Sequence, residues 1–307
     1  MSSWPFFTIG VAVVVIVFVR SLREPIPRIL LPLATTAIFV ASWHIACELK
    51  TYPIPQSDGS IRWVETFPNP WETVVGMRRP ITDGTLLRFA VASIYRVAVG
   101  FTLAAVLAIP IGLWAGWFLH AAQAVNPLIQ ALRPISPIAW IPFAVIWFGV
   151  KDASAIFLIT LASFFPIVTG AMTAVRTIPQ VYVRSAQNFG LEGFELFRRV
   201  VFPASLPGII TSLRIALGIA WMVIVAAEMI AVDSGLGYMI MDSRNANNYE
   251  PVAGSMIVIG LLGVALDFLV RRLERYEEVR WGFPNRREEA AAARDRAAFR
   301  AARDLSA

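Results

Sequence analysis

The side chains of this sequence that could do chemistry are charged groups set inside long apolar stretches. Glu228 and Arg214 share one such stretch, and Asp267 lies in another, shortly before Arg271 and Arg272. An ionised acid at mid-membrane costs about 2.5–3.5 kcal/mol, so Glu228 either lines a transport path or, as we favour, pairs with a polar group of a neighbouring helix. For Asp267 we expect an ion pair with the adjacent arginines. For Arg214 we favour a guanidinium that reaches the membrane interface over one that binds an anion.

Enzyme chemistry is not predicted. The two histidines, His44 and His120, lie in different segments without metal-ligand spacing, and Cys47 is the one cysteine. ATP hydrolysis of the phosphate-loop type needs GxxxxGK[ST], yet neither Lys50 in ELKTYP nor Lys151 in FGVKDA follows such a loop. We therefore expect no catalytic residue, no metal site and no cofactor in this chain.

The composition indicates a membrane protein. Of the 307 residues, 57% are hydrophobic and 16% are charged, whereas soluble domains carry about 25% charged residues. The surplus apolar surface needs lipid as its solvent, so we predict an all-α integral membrane protein. The net charge of +6 comes from arginines between the apolar stretches and in the C-terminal tail. That placement is typical of cytoplasmic loops and argues against a nucleic-acid partner.

A membrane-spanning helix needs about 20 apolar residues, and this length sets the predicted number of spans. We predict about six or seven transmembrane helices and a cytoplasmic C-terminus, because the segments placed inside hold 18 of the 27 Lys and Arg residues. Three parts follow: an extra span, the first core span and a periplasmic segment (1–68), a transmembrane domain (69–275) and a charged cytoplasmic tail (276–307). The apolar windows cover residues 4–19, 29–47, 97–119, 134–150, 153–175, 209–232 and 251–270. The inside segments are 20–28, 120–133, 176–208 and 271–307.

Prolines interrupt the apolar window 134–150. Pro134, Pro137 and Pro142 remove backbone N–H groups, and the carbonyls that lose a partner must be satisfied by neighbours or must line a cavity. Broken helices often mark transport paths, although a kink that serves only packing is an equal alternative. The predicted path residues are Ser136, Trp140, Trp147 and, from the apolar window 209–232, Glu228.

The segment 176–208 is too polar to span and predicts two short helices. Pro179 suits an early helical position, and Gly190 can end the first helix in a left-handed conformation. The second helix is expected to run from Leu191 until Pro203 stops it. Its apolar residues recur every three or four positions, which gives one apolar face that either binds a partner or packs on the chain's own spans. This face consists of Leu191, Phe194, Phe197 and Val201.

This segment resembles the coupling loop of ABC-importer permeases, in which Glu-Ala-Ala, three residues, Gly and nine residues precede Ile-x-Leu-Pro. Gly190 and Pro203 keep the spacing, whereas Arg184 stands where the family has the acid. The resemblance implies that the segment contacts an ATPase, without the salt bridge that the acid would make. The residues that match or occupy the coupling positions are Arg184, Ser185, Ala186, Gly190, Phe194, Phe197, Val200, Phe202 and Pro203.

The resemblance extends over residues 69–272. Within the family, this stretch is similar to the permeases of the nitrate, sulfonate, taurine and bicarbonate branch. It is carried by stretches such as LRIALGIAWMVIVAAEMI (213–230) and SGLGYMIMDSRN (234–245). It implies the transmembrane domain of a type I ABC importer, in the bacterial inner membrane, for a small anion. The implied partners are membrane lipid, a second copy of this chain, two ATPase subunits that bind ATP and Mg²⁺, and a periplasmic binding protein. The loop 233–250, which Gly235 and Gly237 open with a tight turn, is expected to meet the binding protein.

An ion-coupled secondary transporter and a membrane-embedded enzyme are the two alternatives to this interpretation. An ion-coupled secondary transporter would favour internal repeats and polar groups at mid-span, and no convincing repeat is visible. A membrane-embedded enzyme lacks a candidate acid–base pair. An ATPase and a secreted binding protein encoded beside this chain would favour the importer.

Overall fold

The computed structural model describes residues 30–48, 51–55, 61–65 and 68–280, and it is predominantly helical. The first predicted span, 4–19, and most of the tail, 281–307, lie outside the described residues. The second window corresponds to α1 (Leu30–Glu48), and a small antiparallel hairpin, β1 (Thr51–Pro55) with β2 (Ile61–Glu65), follows it.

Short helices α2 (Pro70–Gly76) and α3 (Arg78–Thr82) come next. Asn69 and Glu72 form a capping box, in which each side chain accepts the other residue's backbone N–H at 2.9 Å, and Pro70 fits the first turn.

Four described helices are long and apolar enough to cross a membrane: Thr85–Trp117, Asp152–Arg176, Gly193–Ile230 and Tyr249–Val270. A fifth crossing results if the bent pair Leu119–Leu132 and Pro137–Phe148 counts as one span.

The remaining elements are α4 (Thr85–Trp117), α5 (Leu119–Leu132), a 3₁₀ turn (Pro137–Trp140), α6 (Ile141–Phe148), α7 (Asp152–Arg176), α8 (Gln180–Asn188), α9 (Gly193–Leu196), a π-helical turn (Phe197–Val201), α10 (Phe202–Ile230), α11 (Leu236–Asn245) and α12 (Tyr249–Arg280).

Helices α4, α7 and α10 form the centre of the bundle. Their facing positions are small and fully buried, for example Ala104, Ala162 and Ala216, and such residues let helix backbones approach closely in a membrane. At Gly112 of α4 an added Cβ would lie 2.6 Å from the Val168 carbonyl oxygen, so that close approach requires glycine.

One predicted boundary differs from the structure, because α5 occupies 119–132, where a cytoplasmic loop was expected. Residues 85–96 extend α4 beyond its apolar window, which is one of the two placements that their mixture of apolar residues and arginines allows, the other being along the membrane surface. In α5 the apolar residues are mixed with His120, Gln123 and Asn126. The residue pattern therefore indicated a loop, although the segment has one apolar face that packs on the bundle at Ile129.

Candidate functional site

The first helix of the coupling segment ends as its glycine predicted. Gly190 has φ +82°, the Gly190 N–H donates to the Gln187 carbonyl at 2.9 Å, and the Leu191 N–H donates to the Ala186 carbonyl at 3.1 Å. These two hydrogen bonds are those of the Schellman motif, which needs a left-handed residue after the helix. Gly190 therefore sets the turn between α8 and α9.

Pro203 does not stop the second helix, contrary to the prediction. The chain runs on from Gly193 to Ile230 as one apolar helix, and the π-helical turn at Phe197–Val201 precedes the proline. In that turn the Phe202 N–H donates to the Phe197 carbonyl, five residues back instead of four. Pro203 follows this wider turn directly, at the start of α10.

The apolar face of the coupling segment is divided between core and surface. Val201 is buried, and Phe197 packs edge-to-face on Trp117 of α4 with ring centroids 5.8 Å apart. Phe194, in contrast, is 76% exposed, and Phe189, which the sequence analysis did not single out, is 88% exposed. Two further apolar side chains of α8, Val181 and Tyr182, are also exposed. We call Val181, Tyr182, Phe189 and Phe194 the coupling patch.

Polar residues surround this patch. Arg184 and Ser185 are exposed on α8, and Ala186 is buried against the turn. Glu195 and Arg199 form an exposed ion pair of 2.8 Å one helical turn apart, which stabilises the short helix only slightly. Val200 is half-buried and Phe202 is 37% exposed.

The predicted path segment is bent, as its prolines indicated. The axes of α5 and the following 3₁₀–α6 unit differ by 83°, and exposed Ser136 lies at the break. Trp140 contacts Phe143, which contacts Trp147, with successive ring centroids about 6 Å apart (6.0 and 5.8 Å). Trp147 is 56% exposed. The structure therefore groups Trp140 and Trp147 in one aromatic row, and their role in the path stays a prediction.

Glu228 belongs to a group that we call the polar cluster: Ser93, Arg96, Asp152, Glu228 and Ser234. Of these, Ser93, Arg96 and Glu228 are buried, Ser234 is half-buried, and the side chain of Asp152 is exposed. The Arg96 Nη1 atom lies 2.7 Å from Glu228 Oε1, and both side chains are 1% exposed. Ser93 Oγ donates to Glu228 Oε2 at 2.9 Å. We expected Glu228 to pair with a polar group of a neighbouring helix, and that group is Arg96 of α4.

Arg96 donates hydrogen bonds from all three of its guanidinium nitrogens. Its Nε donates to Asp152 Oδ1 at 2.8 Å, and Nη2 lies 2.6 Å from the same oxygen. Nη1 also donates to the Ser234 carbonyl at 2.8 Å, and Nη2 donates to the Ser234 hydroxyl. A guanidinium has five N–H donors in a planar fork; Arg96 makes four hydrogen bonds, and the short Nη2–Asp152 contact is an ion pair. Arg96 therefore joins α4, α7, α10 and the loop before α11.

The carboxylate of Glu228 also binds the start of α11. Gly237 N–H donates to Glu228 Oε2 at 2.9 Å, and Leu236 N–H donates to Ser93 Oγ at 3.0 Å. A negative charge is favourable there because the first N–H groups of a helix have no partner within it. Gly235 has φ +105°, and an added Cβ at Gly237 would lie 2.4 Å from the Val225 carbonyl oxygen. The two glycines thus make the predicted tight turn and let α11 approach Glu228.

The residue pattern did not single out Arg96 as a partner of Glu228. The signal that was available is that an arginine and an acid, Glu228, lie in separate apolar segments that each need a partner. A single sequence does not show which arginine pairs with which acid.

A second ion pair links α10 and α12. Arg214 Nε lies 2.9 Å from Asp267 Oδ1, and the two side chains are 30% and 42% exposed. Arg272, one of the two partners expected for Asp267, lies over the ring of Phe268 at 5.1 Å. Asp267 thus forms an ion pair between helices, and its expected pairing with Arg271 and Arg272 stays a prediction. Within the described residues no group of three or more His, Cys, Asp or Glu could hold a metal ion.

Comparisons with known proteins agree on one family. Residues 108–277 match the family described as the binding-protein-dependent transport system inner membrane component. A putative ABC transporter permease of Methanocaldococcus jannaschii is 35% identical over 80% of this chain and 90% of that protein. The nitrate import permease NrtB of Synechocystis is 33% identical (81% and 89% covered), and the taurine transport permease TauC of Escherichia coli is 31% identical (82% and 90% covered).

Among solved structures, the inward-facing MetNI methionine ABC transporter superposes with a TM-score of 0.57. The identity is 18%, and the match covers 63% of this chain and 96% of that one. The likeness is one of fold, and it confirms the predicted fold class.

Proposed function

This chain belongs to the family of binding-protein-dependent transport system inner membrane components, and from that premise we propose that its coupling patch docks on an ATPase that drives import of a small anion. A permease of this family is a transport subunit and not an enzyme. The proposal assigns ATP and Mg²⁺ to two partner ATPase subunits, because no lysine of this chain follows a phosphate loop.

The observation that carries the proposal is the exposure of the coupling patch. Phe189 and Phe194 are 88% and 76% exposed at one end of the bundle. Exposed aromatic side chains on a rigid turn are the kind of residue that dominates protein interfaces. Because the patch is continuous with α10 through the π-helical turn, a displacement of the patch would move a membrane-crossing helix directly.

The substrate proposal rests on relatives. The matched permeases are named for nitrate and taurine, and aliphatic sulfonates appear in the name of another relative from Bacillus subtilis. We assign this chain a small oxyanion of the nitrate, sulfonate or bicarbonate class, delivered by a periplasmic binding protein, with two copies of the chain forming the path. The C-terminus is assigned to the cytoplasm with the coupling patch.

Purification from membranes in mild detergent, followed by mass spectrometry of the associated proteins, tests the proposal. We expect an ATPase pair with two copies of this chain, and uptake of the anion that stops when cellular ATP is depleted. A chain that purifies alone, with uptake that persists on an ion gradient after ATP depletion, would establish a secondary transporter instead.

A further inference from the structure

Helices α2 and α3 form one helical unit with two different faces. The Met77 N–H donates to the Thr73 carbonyl at 3.2 Å, and the Ile81 N–H donates to the Met77 carbonyl at 3.1 Å. Both hydrogen bonds span four residues, as in a continuous α-helix, so the helical spacing continues across the junction. Side chains three or four positions apart therefore share one face along the whole unit.

The inner face of this unit packs on the start of α12. Thr73 and Met77, four residues apart, are buried. An added Cβ at Gly76 would overlap the Glu250 side chain, and one at Gly254 would overlap the Met77 side chain, so the two helices approach closely. Glu250 and Gly254 lie in the first two turns of α12, which is long and apolar enough to cross a membrane. The unit is therefore held at the level where a membrane span begins.

The outer face of the unit is apolar at one end and basic at the other. Trp71, Val74, Val75 and Arg78 follow the helical spacing of three and four residues. All four side chains are exposed, Trp71 by 73%, and the neighbouring Arg79 is exposed as well. We call these five residues the outer stripe. Tryptophan and arginine beside apolar residues are typical of helices that lie in the membrane interface.

The neighbouring spans also expose apolar side chains. Beyond its first two turns, α12 exposes Met256, Leu261 and Val264. The first turns of α4, which follow α3 in the chain, expose Leu87 and Val91. Both helices are long and apolar enough to cross a membrane, so the unit is attached to two helices whose outer surfaces need lipid as their solvent.

The two arginines of the outer stripe have no acidic partner among the described residues, where the ion pairs involve Arg96, Arg199 and Arg214. They lie at the end of the bundle opposite the coupling patch, because α4 runs from α3 to Trp117, which packs on Phe197. With the coupling patch in the cytoplasm, the bias of basic residues toward cytoplasmic loops gives no reason for this pair. Phosphate groups of the lipid headgroup layer would supply the negative charge that the chain itself does not place there.

We propose that the outer stripe lies in the membrane interface and binds an anionic phospholipid. Arg78 and Arg79 bind the headgroup phosphate, because a guanidinium matches two phosphate oxygens with parallel N–H bonds. Trp71 and the two valines contact the acyl chains. These apolar residues favour a lipid over an acidic soluble protein, because such a protein would leave them in water whenever it dissociates. The site requires neither the ATPase contact nor the import of an anion, so its test is separate from that of the proposed function.

Lipid titration of the full-length chain in mild detergent, read by native mass spectrometry, tests the site. We expect tighter binding of phosphatidylglycerol than of phosphatidylcholine. Arg78→Gln and Arg79→Gln together should weaken phosphatidylglycerol binding about 25-fold, about fivefold for each arginine, and leave phosphatidylcholine binding unchanged. Arg133→Gln with Arg244→Gln, which removes two exposed arginines elsewhere, should bind phosphatidylglycerol as the unmodified chain does.

Two further measurements separate acyl-chain contact and fold stability from headgroup binding. Trp71→Asn should weaken the binding of both lipids by the same factor, because it removes apolar contact and no charge; unchanged binding of both would contradict the acyl-chain contact. Without lipid, the double arginine variant should unfold at the same temperature as the unmodified chain, because both arginines are exposed. A lower unfolding temperature would show that the arginines hold the fold itself and would overturn the site.

The remaining outcomes of the titration decide against the proposal. Unchanged phosphatidylglycerol binding in the double arginine variant overturns it, as does equal weakening of both lipids in that variant, because the arginines would then not recognise the charge. Unchanged lipid binding together with weaker self-association of the chain, or with weaker binding of a periplasmic binding protein, would assign the outer stripe to a protein partner instead.

Discussion

The two ends of α10 differ in the interactions that their side chains make within the chain. At the Glu228 end, Arg96 and Glu228 are buried together, and all three guanidinium nitrogens of Arg96 donate hydrogen bonds. At the Phe202 end, the helix continues into a segment whose aromatic side chains are exposed. Glu228 lies 26 residues after Phe202, which corresponds to about 39 Å of helix.

This difference separates a structural region from an interaction region. Buried charges are tolerated where every partner is present, and their loss is costly, so the polar cluster needs nothing from outside the chain. Exposed aromatic residues leave apolar surface in water, and such a patch usually marks a binding site. The polar cluster therefore stabilises one end of the bundle, and the coupling patch offers a binding surface at the other.

Glu228→Ala should have the largest effect. It leaves Arg96 buried without its one buried carboxylate partner among the described residues, and breaking a buried ion pair in this way costs about 3–5 kcal/mol. The unfolding temperature of the purified chain in detergent should fall sharply. A double variant, Arg96→Met with Glu228→Leu, should recover much of the loss, because apolar residues of similar size can replace a buried pair. Equal unfolding temperatures for Glu228→Ala and the unmodified chain would contradict the structural role of the polar cluster.

Phe194→Asp tests the other end. A charge in place of a central aromatic residue should weaken ATPase association by at least about 2 kcal/mol, roughly 30-fold, and leave the unfolding temperature unchanged. Co-purification at increasing dilution measures the association. Thr82→Asp, which adds the same charge on exposed α3, is the control. Full ATPase recovery with Phe194→Asp would mean that the coupling patch is not the contact surface.

Gly237→Ala tests the close approach of α11 to the Glu228 end of α10. Its Cβ would lie 2.4 Å from the Val225 carbonyl oxygen, and such overpacking costs about 1–3 kcal/mol. Gly260→Ala, where nothing lies within 4 Å, should instead stabilise α12 by up to about 1 kcal/mol. The unfolding temperatures of both variants test this prediction. Equal changes in unfolding temperature for Gly237→Ala and Gly260→Ala would refute the close approach of α11 to α10.

The fold was largely predictable because a membrane demands long apolar helices. The cores of α4, α7, α10 and α12 agree with apolar windows, and the bend after α5 agrees with the prolines of 134–150. Gly190 fixed the coupling turn because few other residues adopt its conformation. These features depend on residues that are close together in the sequence, so a single sequence is enough to predict them.

Pairings between distant segments could not be predicted in the same way. Arg96 and Glu228 lie 132 residues apart, and several other charged residues were possible partners for each. The continuation of the helix through Pro203 depends on a π-helical turn that no residue type specifies. The exposure of Phe189 results from the direction in which the Schellman turn points, so periodicity along the second helix did not reveal it.

Arg184→Glu should have the smallest effect. Arg184 is exposed on α8, and surface substitutions away from special features change stability by within about 0.5 kcal/mol. The substitution restores the acid that the coupling-loop pattern has at this place, so ATPase association should be kept or slightly strengthened. The salt dependence of co-purification measures this, because a new ion pair with the ATPase would be screened at high salt. Loss of the complex with Arg184→Glu would instead show that the arginine itself contacts the partner, and the coupling patch would then have to be extended to include it.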